Sequence, residues 1–180
     1  GNHDYGFKHS EDGHTFFPDY FPAERQGKTI LDCLVAEYPN REGRASLETA
    51  AFEFEINGWR TLLVITSEFA PSDGAVEWAR NLCISDRYSD HYVIYLTHSY
   101  MKCHKCGNTV TTTEKYALTK QPGNNSGVEL WEKLFSKVPN IRLVLCGHHG
   151  HGPEKIDGKV VDRYDWNVGW RVDRNDAGHN

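Results

Sequence analysis

The stretch HYVIYLTHSY, residues 91–100, decides how this chain is read. Tyr92 to Leu96 is an unbroken apolar and aromatic run, the pattern of a strand buried inside a sheet. It passes directly into Thr97-His98-Ser99-Tyr100, so an imidazole stands just beyond the strand's carboxyl end. The arrangement returns at residues 141–148, where IRLVLC passes directly into Gly147-His148. A helical pattern precedes each run. APSDGAVEWARNLCISD (70–86) has Ser72 or Asp73 as N-cap, with Val76, Ala79 and Leu82–Cys83 at helical spacing. GVELWEKLFSKV (127–138) is amphipathic and is stopped by Pro139-Asn140.

Moving outward, ETAAFEFEI (48–56), Asn57-Gly58 and WRTLLVITSEF (59–69) read as two strands joined by a tight hairpin turn. AFEFEI alternates and predicts a half-buried strand, whereas TLLVIT is continuous and predicts a strand covered on both faces. KTILDCLVAEY (28–38) is a short helix or a strand, PNREGR (39–44) a polar connector, and FFPDYFP (16–22) a packed, irregular loop. Residues 101–127 read as a long polar insertion without periodicity, and the tail 157–174 offers one or two further short strands. Strands alternating with helices in this order predict one domain, α/β or layered αββα, with mostly buried sheets.

Composition bounds the function. A chain of 180 residues with 38% hydrophobic and 25% charged residues is a single globular domain in size and class. A net charge of −5, without blocks of like charge, offers no nucleic-acid surface and no attraction to an anionic membrane. There is no run of 18 apolar residues, hence no membrane-spanning segment in the sequence. The cysteines number 5, at irregular spacing, and define no disulfide framework, so the compartment is left open. The chain begins GNHD, its one methionine is Met101, and it ends at DAGHN without a stop signal. These ends lead to the expectation that residues 1–180 are part of a longer protein.

In open α/β sheets, ligands bind beyond the carboxyl ends of the strands. His98 and the cluster His148, His149 and His151 both stand there, and the glycines around His148 permit a tight turn. Neutral imidazole is the commonest metal ligand and suits Mn, Fe, Zn or Ni. Each piece also has an ordinary reading: a lone histidine after a strand is usually a hydrogen-bonded surface residue, and GNHD could be a polar turn.

Taken in order, GNHD, THSY and GHHGHG resemble the last three motifs of the calcineurin-like metallophosphoesterase superfamily. EFAPSDGAVEWA also resembles one bacterial branch of it. The family's Asp-x-His and Gly-Asp motifs are absent from the sequence. The resemblance implies a metal-dependent phosphoester hydrolase in which two divalent or trivalent metal ions activate water for in-line attack on phosphorus. By that resemblance Asn2, His98 and His148 are ligands of the second metal, and His3 is the catalytic residue at the leaving-group oxygen. Asp4 is structural. The family places another histidine two positions after His148, where this chain has Gly150. His151, one residue later, is assigned to the first metal, with His149 the alternative. The expected partner is a phosphoester substrate whose identity the motifs do not fix, and the 180 residues alone should turn over little of it.

Two further classes stand beside this one. A non-catalytic scaffold of the same fold that binds a partner protein would typically have lost ligands or the catalytic histidine, and here Asn2, His3, His98 and His148 are all kept. A zinc module built on Cys103-x-x-Cys106 lacks a second ligand pair at zinc-finger spacing. Asn124-Asn125-Ser126 is a glycosylation triplet of a kind common by chance. Trp59, Trp78 and Trp131 read as packing residues, and Arg171 and Arg174 as solvated surface charge.

Overall fold

The structure, a computed structural model, describes residues 1–6, 10, 13–58, 60–102, 109–110, 116–148, 154–156, 159–161 and 170–171. In chain order its strands are β1 (Leu34–Glu37), β2 (Ala50–Ile56), β3 (Arg60–Thr66), β4 (Tyr92–Leu96), β5 (Met101–Lys102), β6 (Thr109–Val110), β7 (Ile141–Leu145), β8 (Glu154–Ile156), β9 (Lys159–Val161) and β10 (Trp170–Arg171). Six of them form the main sheet in the order β1-β2-β3-β4-β7-β10, while β5-β6 and β8-β9 are separate two-stranded sheets. β3, β4 and β7 run parallel in the middle, and β1, β2 and β10 add antiparallel edges. The fold is α/β.

The β2–β3 hairpin closes as its sequence predicts. Asn57 and Gly58 take φ of 51° and 69°, the left-handed values a tight turn requires, and Ile56 pairs with Arg60. KTILDCLVAEY divides between two states: α2 (Lys28–Cys33), which follows the short α1 (Phe17–Tyr20), and then β1. α3 (Asp73–Ile84) begins at Ser72, whose Oγ accepts the Ala75 N–H at 3.2 Å. α4 (Gly127–Leu130) opens with a Ser126/Glu129 capping box and continues as a π-turn over Trp131–Phe135. These helices are the crossovers that parallel pairing of β3, β4 and β7 demands.

Both crossovers lie on one face of the sheet, and this overturns an expectation. Val76, Ala79 and Cys83 of α3, with Leu130, Leu134 and Phe135, share one core with Ala51, Leu63, Ile65, Val93, Tyr95, Ile141 and Val144. Trp78 and Trp131 pack against that core half-buried. The alternate positions Phe52, Leu62, Val64, Ile94, Leu96, Leu143 and Leu145 point to the other face and are only half-buried. TLLVIT, HYVIYLT and IRLVLC are therefore not covered equally on both faces. A continuous apolar run specifies two apolar faces without specifying what lies on each. The insertion at 101–127 is also less open than its polarity suggests, since Met101 and Leu118 are fully buried. Among the described residues, no helix is long and apolar enough to cross a membrane.

Candidate functional site

Parallel pairing puts the carboxyl ends of β3, β4 and β7 at one edge of the sheet, where Ser67–Ala70, Thr97–Tyr100 and Cys146–His148 emerge together. Two backbone bonds tie the last two segments: Thr97 N–H donates to Leu145 O at 3.0 Å, and Gly147 N–H donates to His98 O at 3.1 Å. The His98 and His148 ring centroids are consequently 4.8 Å apart. His148 stands at φ 69°, a left-handed conformation uncommon outside glycine and concentrated at functional sites.

The third member comes from the start of the chain. Asn2–Tyr5 form a 3-10 turn that buries Asn2 and Tyr5 and exposes His3 and Asp4. Ser10 Oγ donates to Asn2 O at 2.6 Å and fixes the turn. Asn2 Oδ1 accepts the Nε2–H of His98 at 2.7 Å. Gly1 is a requirement of this approach, because a Cβ there would sit 2.8 Å from Cε1 of His98. His98 thus touches both Asn2 and His148, residues distant from it in sequence.

Around them lies an aromatic and acidic wall. The Phe69 ring is 5.7 Å from His98, 5.9 Å from His148 and 5.7 Å from Tyr116, and Tyr116 is 5.1 Å from His148. Tyr5 donates to the buried carboxylate of Glu48, which also accepts from Asn40 Nδ2 at 3.3 Å and Ser46 Oγ at 3.1 Å. Burial pushes the Tyr5 phenol pKa up, and the Glu48 charge adds to that shift. Glu68 is buried beside Arg41, with Oε2 3.3 Å from Nε, an ion pair that falls short of hydrogen-bond geometry. Burial raises the Glu68 pKa, and the Arg41 charge opposes the rise. A cavity of about 200 Å³ opens beside Gly1 and His98, with Asp4, Glu48, Ser67 and Glu68 among its lining.

The donor set suits a metal ion. It offers one carbonyl oxygen and two imidazoles, a mixture taken by borderline first-row ions. Two ligands about 2.0–2.1 Å from a shared ion lie about 2.9–3.4 Å apart. Asn2 Oδ1 and His98 Nε2 are already within a few tenths of an ångström of that range, with a proton between them. Among the described residues, no group of three or more His, Cys, Asp and Glu side chains converges on a common point. The gathered set is completed by an amide.

The sequence-predicted residues divide accordingly. His98 is in contact with both Asn2 and His148. His3 shares the turn but is exposed, and among the described residues no hydrogen bond or ring contact joins it to the other three. Asp4 is exposed on the same turn. His149, His151, Cys103, Cys106, Trp59 and Arg174 lie outside the described residues. The Asn124 amide is engaged on both sides, by Arg41 at 2.9 Å and by Leu118 O at 2.7 Å, so the glycosylation triplet is part of the packing. The sequence reading missed Arg41, Glu48, Glu68, Phe69 and Tyr116. One signal was present: Glu68-Phe69 follows TLLVIT just as His98 and His148 follow their strands.

No family model matches this chain, and neither a curated protein nor a solved structure does.

Proposed function

We propose that the chain is part of a calcineurin-like metallophosphoesterase, a metal-dependent phosphoester hydrolase. The observation that carries this reading is the contact of His98 with both Asn2 and His148 at the carboxyl edge of three parallel strands. Each belongs to a different motif of the ordered set GNHD, THSY and GHHGHG. A supporting feature is the half-buried apolar face of the main sheet, which a second sheet of a layered αββα sandwich would cover. On this reading the Asp-x-His and Gly-Asp loops come from chain outside the 180 residues.

Asn2 Oδ1 and a ring nitrogen of each of His98 and His148 would hold one ion. When bound, it supplies charge neutralisation at the phosphoryl oxygens and lowers the pKa of water for attack. The chain's own residues prepare the place. His98 Nε2, which faces Asn2 Oδ1 at 2.7 Å, is the ring nitrogen placed beside the amide oxygen. Phe69 and Tyr116 exclude water from one side of the imidazoles. His3, exposed on the same turn as Asn2, is free of the packing that holds Asn2 and is the residue assigned to give a proton to the leaving oxygen from a ring nitrogen.

Metal analysis after equilibration with Mn(II), Zn(II) or Co(II) tests the reading. Wild type is expected to retain metal that the His98→Ala/His148→Ala double variant loses. Equal retention by both would transfer the metal to the Cys103–Cys106 segment and sink the assignment. A chain extended at its N-terminus should hydrolyse bis(4-nitrophenyl) phosphate or 4-nitrophenyl phosphate in a metal-dependent way.

A further inference from the structure

Arg41 lies in the connector between β1 and β2, a segment whose sequence is that of a solvated loop, yet its side chain is only 13% exposed. Its bonds account for this. Nη1 donates to Asn124 Oδ1 at 2.9 Å, Nη2 donates to Phe69 O at 3.0 Å and also to Ala70 O, and Nε faces Glu68. One planar cation therefore holds Glu68, Phe69 and Ala70 on one side and Asn124 on the other. Asn124 passes the connection on, since its Nδ2 donates to Leu118 O at 2.7 Å, close in sequence to Tyr116.

The loop held in this way is not one that would choose its own shape. Ala70 stands at φ 50°, where an alanine is strained and persists only if its surroundings impose the conformation. The same loop carries Phe69, whose ring lies beside both imidazoles. Withdrawing a guanidinium from water is costly, and a surface connector has no need of it. The cost is understandable where the fork fixes a neighbouring geometry.

We infer that Arg41 is a positioning residue for the His98–His148 pair, acting through Phe69 and, by way of Asn124, through the segment that carries Tyr116. The inference rests on the metallophosphoesterase reading for its purpose, though not for its geometry. It distinguishes Arg41 from an ordinary buried ion pair, whose loss would weaken the fold without selectively moving two histidine rings. Lysine keeps the charge beside Glu68 but cannot reproduce the planar fork to two carbonyls and an amide. Arg41→Lys is therefore the informative variant, and Phe69→Leu is its partner, because it leaves the Arg41 bonds in place while removing the ring.

The experiment is ring ¹H–¹⁵N correlation spectroscopy on the metal-free 180-residue chain, followed by Co(II) titration. Both variants are expected to displace the His98 and His148 ring signals while leaving those of His91, at the far end of β4, in place. Co(II) affinity should fall about tenfold in each, the lower end of what loss of a supporting contact costs a metal site. A folded Arg41→Lys chain with His98 and His148 signals coincident with wild type would overturn the inference. So would a Phe69→Leu chain with those signals unmoved. Should Arg41→Lys fail to fold by near-ultraviolet circular dichroism, Phe69→Leu decides by the same signals. Failure of wild type to bind Co(II) would count against the metal reading alone, since the ring signals are recorded without metal and still decide for or against Arg41.

Discussion

β4 carries a histidine at each end, and the two are held in opposite ways. His91, just before the strand, has its Nε2 at 2.8 Å from Glu53 Oε1 and its ring 5.0 Å from Tyr88. Glu53 in turn binds Arg87 at 2.9 Å, so charge at this end is answered within the fold. His98, just after the strand, meets an amide oxygen, a second imidazole and a phenylalanine ring. A histidine hydrogen-bonded to its own carboxylate is part of the framework. His98 stands instead with an amide and a second imidazole, groups whose chemistry allows them to ligate a cation. The residue type is the same at both ends, and its company separates the roles.

The strongest way to break this contrast is to disturb both ends at once. Tyr95 is fully buried in mid-strand against Phe135, with ring centroids 5.1 Å apart. Tyr95→Ala should cost about 3–5 kcal/mol of stability in urea unfolding and blur both histidine environments together. Exchanging the ends is the next test. His98→Ala should weaken Co(II) binding about 100-fold, no less than loss of an outer-shell partner can cost, while lowering stability by only about 1 kcal/mol. His91→Ala should do the reverse, leaving Co(II) binding unchanged and costing about 1–2 kcal/mol in the same urea titration. If both substitutions affect metal equally, the distinction between the ends is lost.

The smallest effect sharpens the comparison through pH. The hydrogen bond from His91, helped by Arg87, holds the Glu53 carboxyl below the usual carboxylate range. A folded pKa lower than the unfolded one gives stability that is complete above the unfolded value, about 4.3, and is lost as pH falls through the folded value. Glu53→Gln should therefore be less stable than wild type at pH 6, with the gap narrowing from about pH 4.5 downward. Urea midpoints across pH 3–6 would show it, and a gap independent of pH would remove Glu53 from the account.

Much of this was legible in sequence because local rules govern it. Ser72 caps α3, Asn57-Gly58 closes the hairpin, and the two helix–strand–histidine units place His98 and His148 at one edge. The paired imidazoles follow from strand period and parallel order alone. What was hidden depends on partners remote in the chain. Arg41 looks like loop charge because nothing near it in sequence shows that Phe69, Ala70 and Asn124 will surround it. Glu48 and Glu68 look like surface acids until Tyr5 and Arg41 are brought over them. The half-buried sheet face was missed for a different reason. Leucine and valine runs report that a surface is apolar, and the side on which each crossover helix settles is decided by the connection as a whole.

The order of strands in the main sheet has a consequence for how the molecule assembles. Along β1-β2-β3-β4-β7-β10 each strand is laid beside the preceding strand of the sheet, so the sheet can be built by successive closures, the longest across the 44 residues between Leu96 and Ile141. Asn2 and His98, by contrast, are separated by 96 residues. Their meeting is among the least local events in the chain, and it adds only a turn and a few side chains to a sheet already formed. The framework should therefore form before the site does. On mild denaturation the site should also be the first part to come apart, with its three side chains separating while the strands that carry two of them are still paired.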